Sequence, residues 1–310
     1  MIKKTIPEIE LAKLSRKELL EQINYNNVSL LRSIGADSLL AEMERPGAFC
    51  RFLVRMICRK KDRETIRKRT VRVLKFFAPS TILKPYYKSE HCVVIGFNHP
   101  SLGEIFRLLY NGIETFPDRD FLFPVNIPWY ETMTPVIPLL SEAGISITPI
   151  ITPKTESKFL KMFEGDEEKL AHIDHFKIAF ERVYMVKAKE CAAANGIIVV
   201  APSATRQAEV FADDIARRGE GHIHPVMTLL AHRICDSPDS KVSFLPVTVF
   251  EPKDNDREFN LFKNYGIYPC EPFSAKEVYE LSSGHSREID YRFLQRLDEI
   301  YSKYHSEYSK

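Results

Sequence analysis

His99 and Glu104 stand five residues apart in Asn98-His99-Pro100-Ser101-Leu102-Gly103-Glu104, directly after the apolar run Cys92-Val93-Val94-Ile95-Gly96-Phe97. A carboxylate that keeps one imidazole nitrogen protonated leaves the other free to take a proton from a hydroxyl. The pair therefore suits general-base catalysis with the nucleophile brought by the substrate. The same residues also have a purely structural reading. Ser101 and Glu104 fit a Ser-x-x-Glu capping box, in which Glu104 closes a helix start and His99 is a loop residue with a backbone partner.

A second constellation is Ile197-Ile198-Val199-Val200-Ala201-Pro202-Ser203-Ala204-Thr205-Arg206. An apolar run ends at a proline, and small residues lead to an arginine. Small side chains let the backbone approach an anion, and a guanidinium can grip phosphate with two prongs. Read plainly, Pro202–Ala204 is a turn and Arg206 is solvated. Lys154, in Thr152-Pro153-Lys154-Thr155, stands at the end of another apolar stretch. It either joins Arg206 around a phosphate or is a solvated turn lysine. The pairs His222/His224 and His172/His175 fall short of the three or four convergent ligands a metal needs, so no metal is expected. No Gly-x-Ser-x-Gly elbow frames a serine nucleophile, which sets a hydrolase aside.

These residues need elements to hold them. Residues 92–97 read as a buried strand feeding straight into His99, and ligands in open α/β sheets gather outside such strand ends. Further strands are expected at Ile145–Thr152, Ile197–Ala201 and Val242–Phe250, the last with Pro246 inside it, which suggests an edge or a bulge. The stretch Thr134–Pro153 reads as buried strands and turns. Helices are expected over Leu102–Tyr110, 156–195, 222–235 and 287–304, with Asn195-Gly196 stopping one and a capping box at Ser274–Glu277 starting another. Residues 1–80 read as helical. Leu14–Leu19 forms a helix start, Pro46-Gly47 a break, and a second stretch begins near Phe49. Ile66, Thr70, Val73, Leu74 and Phe77 then make one apolar stripe ended by Ala78-Pro79-Ser80. The expected fold class is α/β, a mixed central sheet with helices on both faces, preceded by a small N-terminal helical domain. The division falls at residues 1–85 and 86–310.

The chain has 310 residues, 44% apolar and 28% charged, with 20 Phe and 13 Tyr, which supports a sizeable core and argues against disorder. Neither a secretory signal nor a stretch of about 18 uncharged apolar residues is visible. The six Cys form no close pair, which fits reduced thiols and cytoplasmic residence. The net charge of +2 conceals an asymmetry. Residues 51–90 carry 13 Lys/Arg against 3 Asp/Glu, a surplus of ten, so the rest of the chain stands at −8. Such a segment can solvate a helical cap, rest on anionic lipid as a peripheral contact, or dock an acidic carrier protein. No nucleic-acid motif accompanies it.

Taken in order, the three strand-end features resemble the glycerol-3-phosphate and lysophosphatidate acyltransferase family. Its first motif, Asn-His, four residues and Asp, is matched by Asn98-His99 with Glu104 in place of the Asp. Its third, Pro-Glu-Gly-Thr-Arg, is matched by Pro202-Ser203-Ala204-Thr205-Arg206. The wording Ala201-Pro202-Ser203 is closer to the soluble chloroplast glycerol-3-phosphate acyltransferase branch, which also has an N-terminal helical domain. The fourth motif, an apolar strand with Pro-Val, is matched by Leu245-Pro246-Val247. The resemblance spans roughly residues 90–250, without a clear second motif. It implies a fatty acyl group moving from an acyl-CoA or acyl carrier protein thioester to a hydroxyl of glycerol-3-phosphate, a lysophospholipid or a related acceptor. His99 would be the base and Glu104 its partner, and Arg206, Thr205, Ser203 and Lys154 would hold phosphate. No cofactor, metal or covalent acyl-enzyme is implied. Glutamate is one methylene longer than the family Asp, and Ala204 replaces a Gly, so the acceptor need not be glycerol-3-phosphate. The alternative is a non-catalytic membrane-surface or lipid-binding protein on the same fold.

Overall fold

A computed structural model describes residues 31, 34–36, 63–76, 82–83, 86–87, 89–98, 104–133, 137–202, 225–250, 266–283 and 287–308. Helix α1 (Arg63–Phe76) and strand β1 (Ile82–Leu83) lead to β2 (Cys92–Phe97) and α2 (Glu104–Thr115). Then come β3 (Phe121–Asn126), α3 (Ile127–Met133), α4 (Ile137–Glu142) and β4 (Ile145–Ile150). Helices α5 (Pro153–Met162) and α6 (Glu167–Ala193) precede β5 (Ile197–Val200). The chain continues with α7 (Val226–Ile234), β6 (Val242–Phe250), β7 (Gly266–Pro269), β8 (Phe273–Ser274), α8 (Ala275–Ser282) and α9 (Glu288–Tyr308). The expected helix start at Leu14–Leu19, the break at Pro46-Gly47 and the stretch from Phe49 lie outside the described residues.

Among the described residues one sheet runs in the order β1-β7-β6-β2-β5-β3-β4, with β8 also on β6. Strands β6, β2, β5, β3 and β4 are mutually parallel, and β7 turns antiparallel to β6. Alternation along each strand divides the core in two. Val93, Ile95 and Phe97 face the side covered by α1, α2 and α4. Cys92 and Val94 face the side covered by α6, α7, α8 and α9. This is the expected mixed α/β sheet with helices on both faces.

Four residues of the expected stripe on α1 are where their spacing put them, while Phe77 and the stop at Ala78-Pro79-Ser80 lie outside the described residues. Ile66, Thr70, Val73 and Leu74 are buried, and the apolar three lie in the same core as β2 and β5. Arg67 fixes the start of this helix at the sheet edge where the parallel strands begin. Its guanidinium donates to Ala143 O at 3.2 Å and Arg119 O at 2.7 Å, just ahead of β4 and β3. Leu31, Ile34 and Ala36 pack into a third cluster with Ile127, Ile151 and Phe159 near the other edge.

Two local readings need correction, and a third is decided between its alternatives. The stretch 156–195 is two helices, because Gly165 adopts φ +84 and Asp166 caps a new start, donated to by Lys169 N at 3.1 Å. Thr134–Pro153 contains α4 as well as β4. Pro246 lies in a central strand rather than at an edge, opposite a bulge. Phe244 and Val247 enclose two residues on β6, whereas their partners Phe273 and Pro269 enclose three. Pro246 O accepts from Cys270 N at 2.8 Å, so the missing N–H also faces the bulge and the ladder to β2 loses nothing.

Gly96 permits a close approach that no other residue could. A methyl there would lie 2.4 Å from the Phe293 ring and 3.2 Å from Pro202 Cγ. Phe293 is fully buried and has nowhere to retreat. Gly96→Ala is expected to cost about 1–3 kcal/mol through overpacking, read as a lowered urea midpoint with an unchanged slope.

Candidate active-site edge

All five parallel strands end at one edge of the sheet. Strands β2 and β5 are neighbours there, with Gly96 opposite Val200, and the chain leaves them through Asn98 and Pro202 respectively. The next described helix after β2 covers one face, and the next described helix after β5 covers the other. Chains that part in this way open a crevice beyond the carboxyl ends of the strands. The exits of β3 and β4 are instead held together by Asn126, and β2/β5 is the pair whose exits lead into His99 and Ser203–Arg206.

Asn98 locks the β2 exit. Its side chain is 1% exposed. Val249 N donates to Asn98 Oδ1 at 2.5 Å, and Asn98 Nδ2 donates to Val249 O at 2.7 Å. The amide thus extends the β2–β6 pairing by one step and fixes where the next residue starts. Asn98→Asp sets a carboxylate oxygen against the Val249 carbonyl and leaves that carbonyl without a donor. A loss of about 1–3 kcal/mol is expected near neutral pH. The new carboxyl would hold its proton more tightly in the folded state than in the unfolded one. The variant should therefore be closest to wild type below the unfolded carboxyl pKa and lose stability as pH rises. Chemical denaturation at acid and neutral pH reads this.

The β3 and β4 exits are tied in the same manner. Asn126 Oδ1 accepts from Ile127 N at 3.1 Å and Thr152 N at 3.4 Å, and Asn126 Nδ2 donates to Thr155 Oγ1 at 2.8 Å. Thr152 caps α5 and Pro153 takes its first turn, which suits a missing N–H. Lys154 is therefore an exposed residue of a helix start rather than of a loop turn. Strand β4 lies two strands from β5, about 10 Å at the usual strand spacing.

The far end of the connection after β5 is held by helix α9. Asp290, fully buried, accepts from Met227 N at 2.7 Å, Thr228 N at 3.1 Å and Thr228 Oγ1 at 2.5 Å. These are first-turn donors of α7, whose own flanking residue Pro225 offers no side-chain cap. Burial pushes the Asp290 carboxyl up. The Thr228 hydroxyl, the two N–H groups and Arg287 pull it down, and burial prevails. The same helix presses Phe293 against Gly96 and so packs beneath both β2 and Pro202.

Of the residues singled out in the sequence, Glu104 is the first residue of α2 and Lys154 is placed as above. His99, Ser101, Ser203, Thr205, Arg206, His222 and His224 lie outside the described residues. Asn98 belongs to the quoted motif, but its clamp on Val249 could not be read from it. Asp290 had a visible signal, an acid on the apolar stripe of α9 beside Ile289 and Phe293. Arg107 had the same signal on α2, where it is 1% exposed in company with Leu108 and Tyr110. Among the described residues no group of three or more His, Cys, Asp or Glu could hold a metal, and no helix is long and apolar enough to cross a membrane. Neither a protein-family model nor a curated protein matches the chain.

Proposed function

We propose that this chain is an O-acyltransferase of the glycerolipid type. It moves a fatty acyl group from an acyl-CoA or acyl carrier protein thioester to a hydroxyl of glycerol-3-phosphate, a lysophospholipid or a related acceptor. The observation that carries the reading is the adjacency of two exits. The Asn98 and Pro202 ends of neighbouring parallel strands lie on one edge, and in sequence they run on into His99–Glu104 and Ser203–Arg206. In this reading His99 removes the acceptor proton and Glu104 holds the imidazole. The oxygen attacks the thioester carbonyl, the C–S bond breaks, and the thiolate leaves with the proton returned by His99. Arg206, with Thr205 and Ser203, grips the acceptor phosphate, and Lys154 contributes from the β4 side. An N-terminal helical domain over residues 1–85, a cytoplasmic setting and peripheral contact with anionic membrane through residues 51–90 complete the proposal.

The test is a matrix of acyl-CoA and acyl carrier protein thioesters against glycerol-3-phosphate, lysophosphatidate and a neutral alcohol. Acceptor-dependent thiol release with matching ester product is expected for at least one pair. Thiol release without any acceptor, or no release from any pair, overturns the reading. The second outcome leaves the non-catalytic lipid-surface alternative.

A further inference from the structure

Helix α9 runs across the strands instead of along any one of them. Phe293 meets β2 beside the β5 exit. Leu297 O accepts from Thr248 Oγ1 of β6 at 3.0 Å, and Tyr304 stacks on Tyr268 of β7 with ring centroids 4.5 Å apart. Residues 290, 293, 297 and 304 recur at helical spacing, so one face of α9 makes these contacts and the Asp290 cap. That face touches what holds both branches of the candidate site. Thr248 precedes Val249, which clamps Asn98 and so the exit toward His99. The Phe293 ring and Pro202 Cγ crowd one point, the place a Gly96 side chain would fill, at 2.4 Å and 3.2 Å from it. Asp290 grips the start of α7, the next described helix after Arg206 in sequence. Phe293 is backed in turn by Phe273, with ring centroids 5.9 Å apart, and the Arg296 guanidinium lies 3.5 Å over the Phe273 ring.

A base and an anion grip that leave from two different strands serve one acceptor only while those strands keep a fixed offset. A displacement near 1 Å costs on the order of a hundredfold in rate. A fully buried ring wedged where the two exits meet is the part that sets such an offset. We infer that Phe293 is a positioning residue: its ring aligns the His99 and Arg206 segments, so that an acceptor held by its phosphate presents its hydroxyl to the base. This role rests on the acyltransferase reading and adds to it the group that brings the two segments into register.

Wild type, F293L, R206A and F293L/R206A are assayed with an acyl thioester and a phosphorylated acceptor, glycerol-3-phosphate or lysophosphatidate. F293M, which conserves volume, is the control. Urea curves give the folded fraction of each chain, and rates are compared per folded molecule. F293L is expected to lower kcat by about ten- to a hundredfold with the acceptor KM within about threefold of wild type, and F293M to stay within about threefold in both. In the R206A background the leucine should change the rate by less than about twofold, because no grip remains to be aligned. Gly96→Ala crowds the same point from the strand side and should repeat the pattern, which decides the matter if F293L does not fold. An equal factor in both backgrounds, or an F293L rate near that of wild type, overturns the alignment and spares the acyltransferase. A wild type that acylates only acceptors without phosphate does the same. A wild type with no acceptor-dependent turnover on any thioester removes the acyltransferase reading and the alignment with it.

Discussion

His99→Ala is expected to lower acceptor-dependent acyl transfer by about two to four orders of magnitude, the usual contribution of a positioned general base. An alcohol is a poor nucleophile until its proton has somewhere to go, and alanine offers nowhere. The loss should fall on kcat, with the KM for the acceptor little changed, because phosphate binding is assigned to other residues. Glu104→Gln should cost less, since the imidazole remains and only its orientation and charge support are weakened. The melting temperature of His99→Ala should match wild type, because the clamp that fixes the β2 exit is made by Asn98, not by its neighbour. Unchanged turnover in His99→Ala would remove the mechanism. An acyl group trapped covalently on Ser203 would replace it with one that uses an internal nucleophile.

Asp290→Ala should be the most destabilising single change in the described structure, about 3–5 kcal/mol by urea denaturation. Two first-turn N–H groups of α7 and the Thr228 hydroxyl lose their buried carboxylate partner. Asparagine would be a poor substitute, because its NH2 group meets donors on at least one side. The pH dependence has a definite sign. Burial raises the folded carboxyl, so the folded chain keeps this proton at pH values where the unfolded chain has released it. The contribution of Asp290 therefore weakens as pH rises from about 3.9, the unfolded value, to the folded one, and that slope should vanish in Asp290→Ala. A variant within about 1 kcal/mol of wild type would mean that α7 does not depend on this cap.

The sequence revealed elements wherever one local cause decided them. A continuous apolar run fixed β2 to the residue, and a mostly apolar one interrupted by Ser243 and Thr248 fixed β6. Spacing fixed the α1 stripe, and the capping box at Ser274 is made in full, with Ser274 N donating to Glu277 Oε2 at 2.7 Å. Asn195 stops α6 with φ 54. Where causes compete, local reading fails. Strand β3, Phe-Leu-Phe-Pro-Val-Asn, is not among the strands expected from the sequence. What makes it a strand is pairing with β4 and β5 on its two sides. Pro246 reads as an edge or a bulge, and only residues far along the chain decide for the bulge and let it sit in the middle. At the candidate site the exits were legible as ends of apolar runs. The groups that hold those exits were not, because each acts across a long sequence separation, Asn98 on Val249 and Asp290 on Thr228.

The same separation governs how the chain is made. The two strands joined by the Asn98 clamp are 151 residues apart at that contact. A chain emerging from the ribosome can assemble β2, β5, β3 and β4 once residue 200 is out. The outer side of β2 then stays open until residues 242–250 follow. An apolar strand edge left unpaired for that interval is a template for other chains. In chain order the edge strand β4 precedes the inner strand β5, and β2 gains its second neighbour only when β6 arrives. Truncations that end between β5 and β6 should accumulate as aggregates.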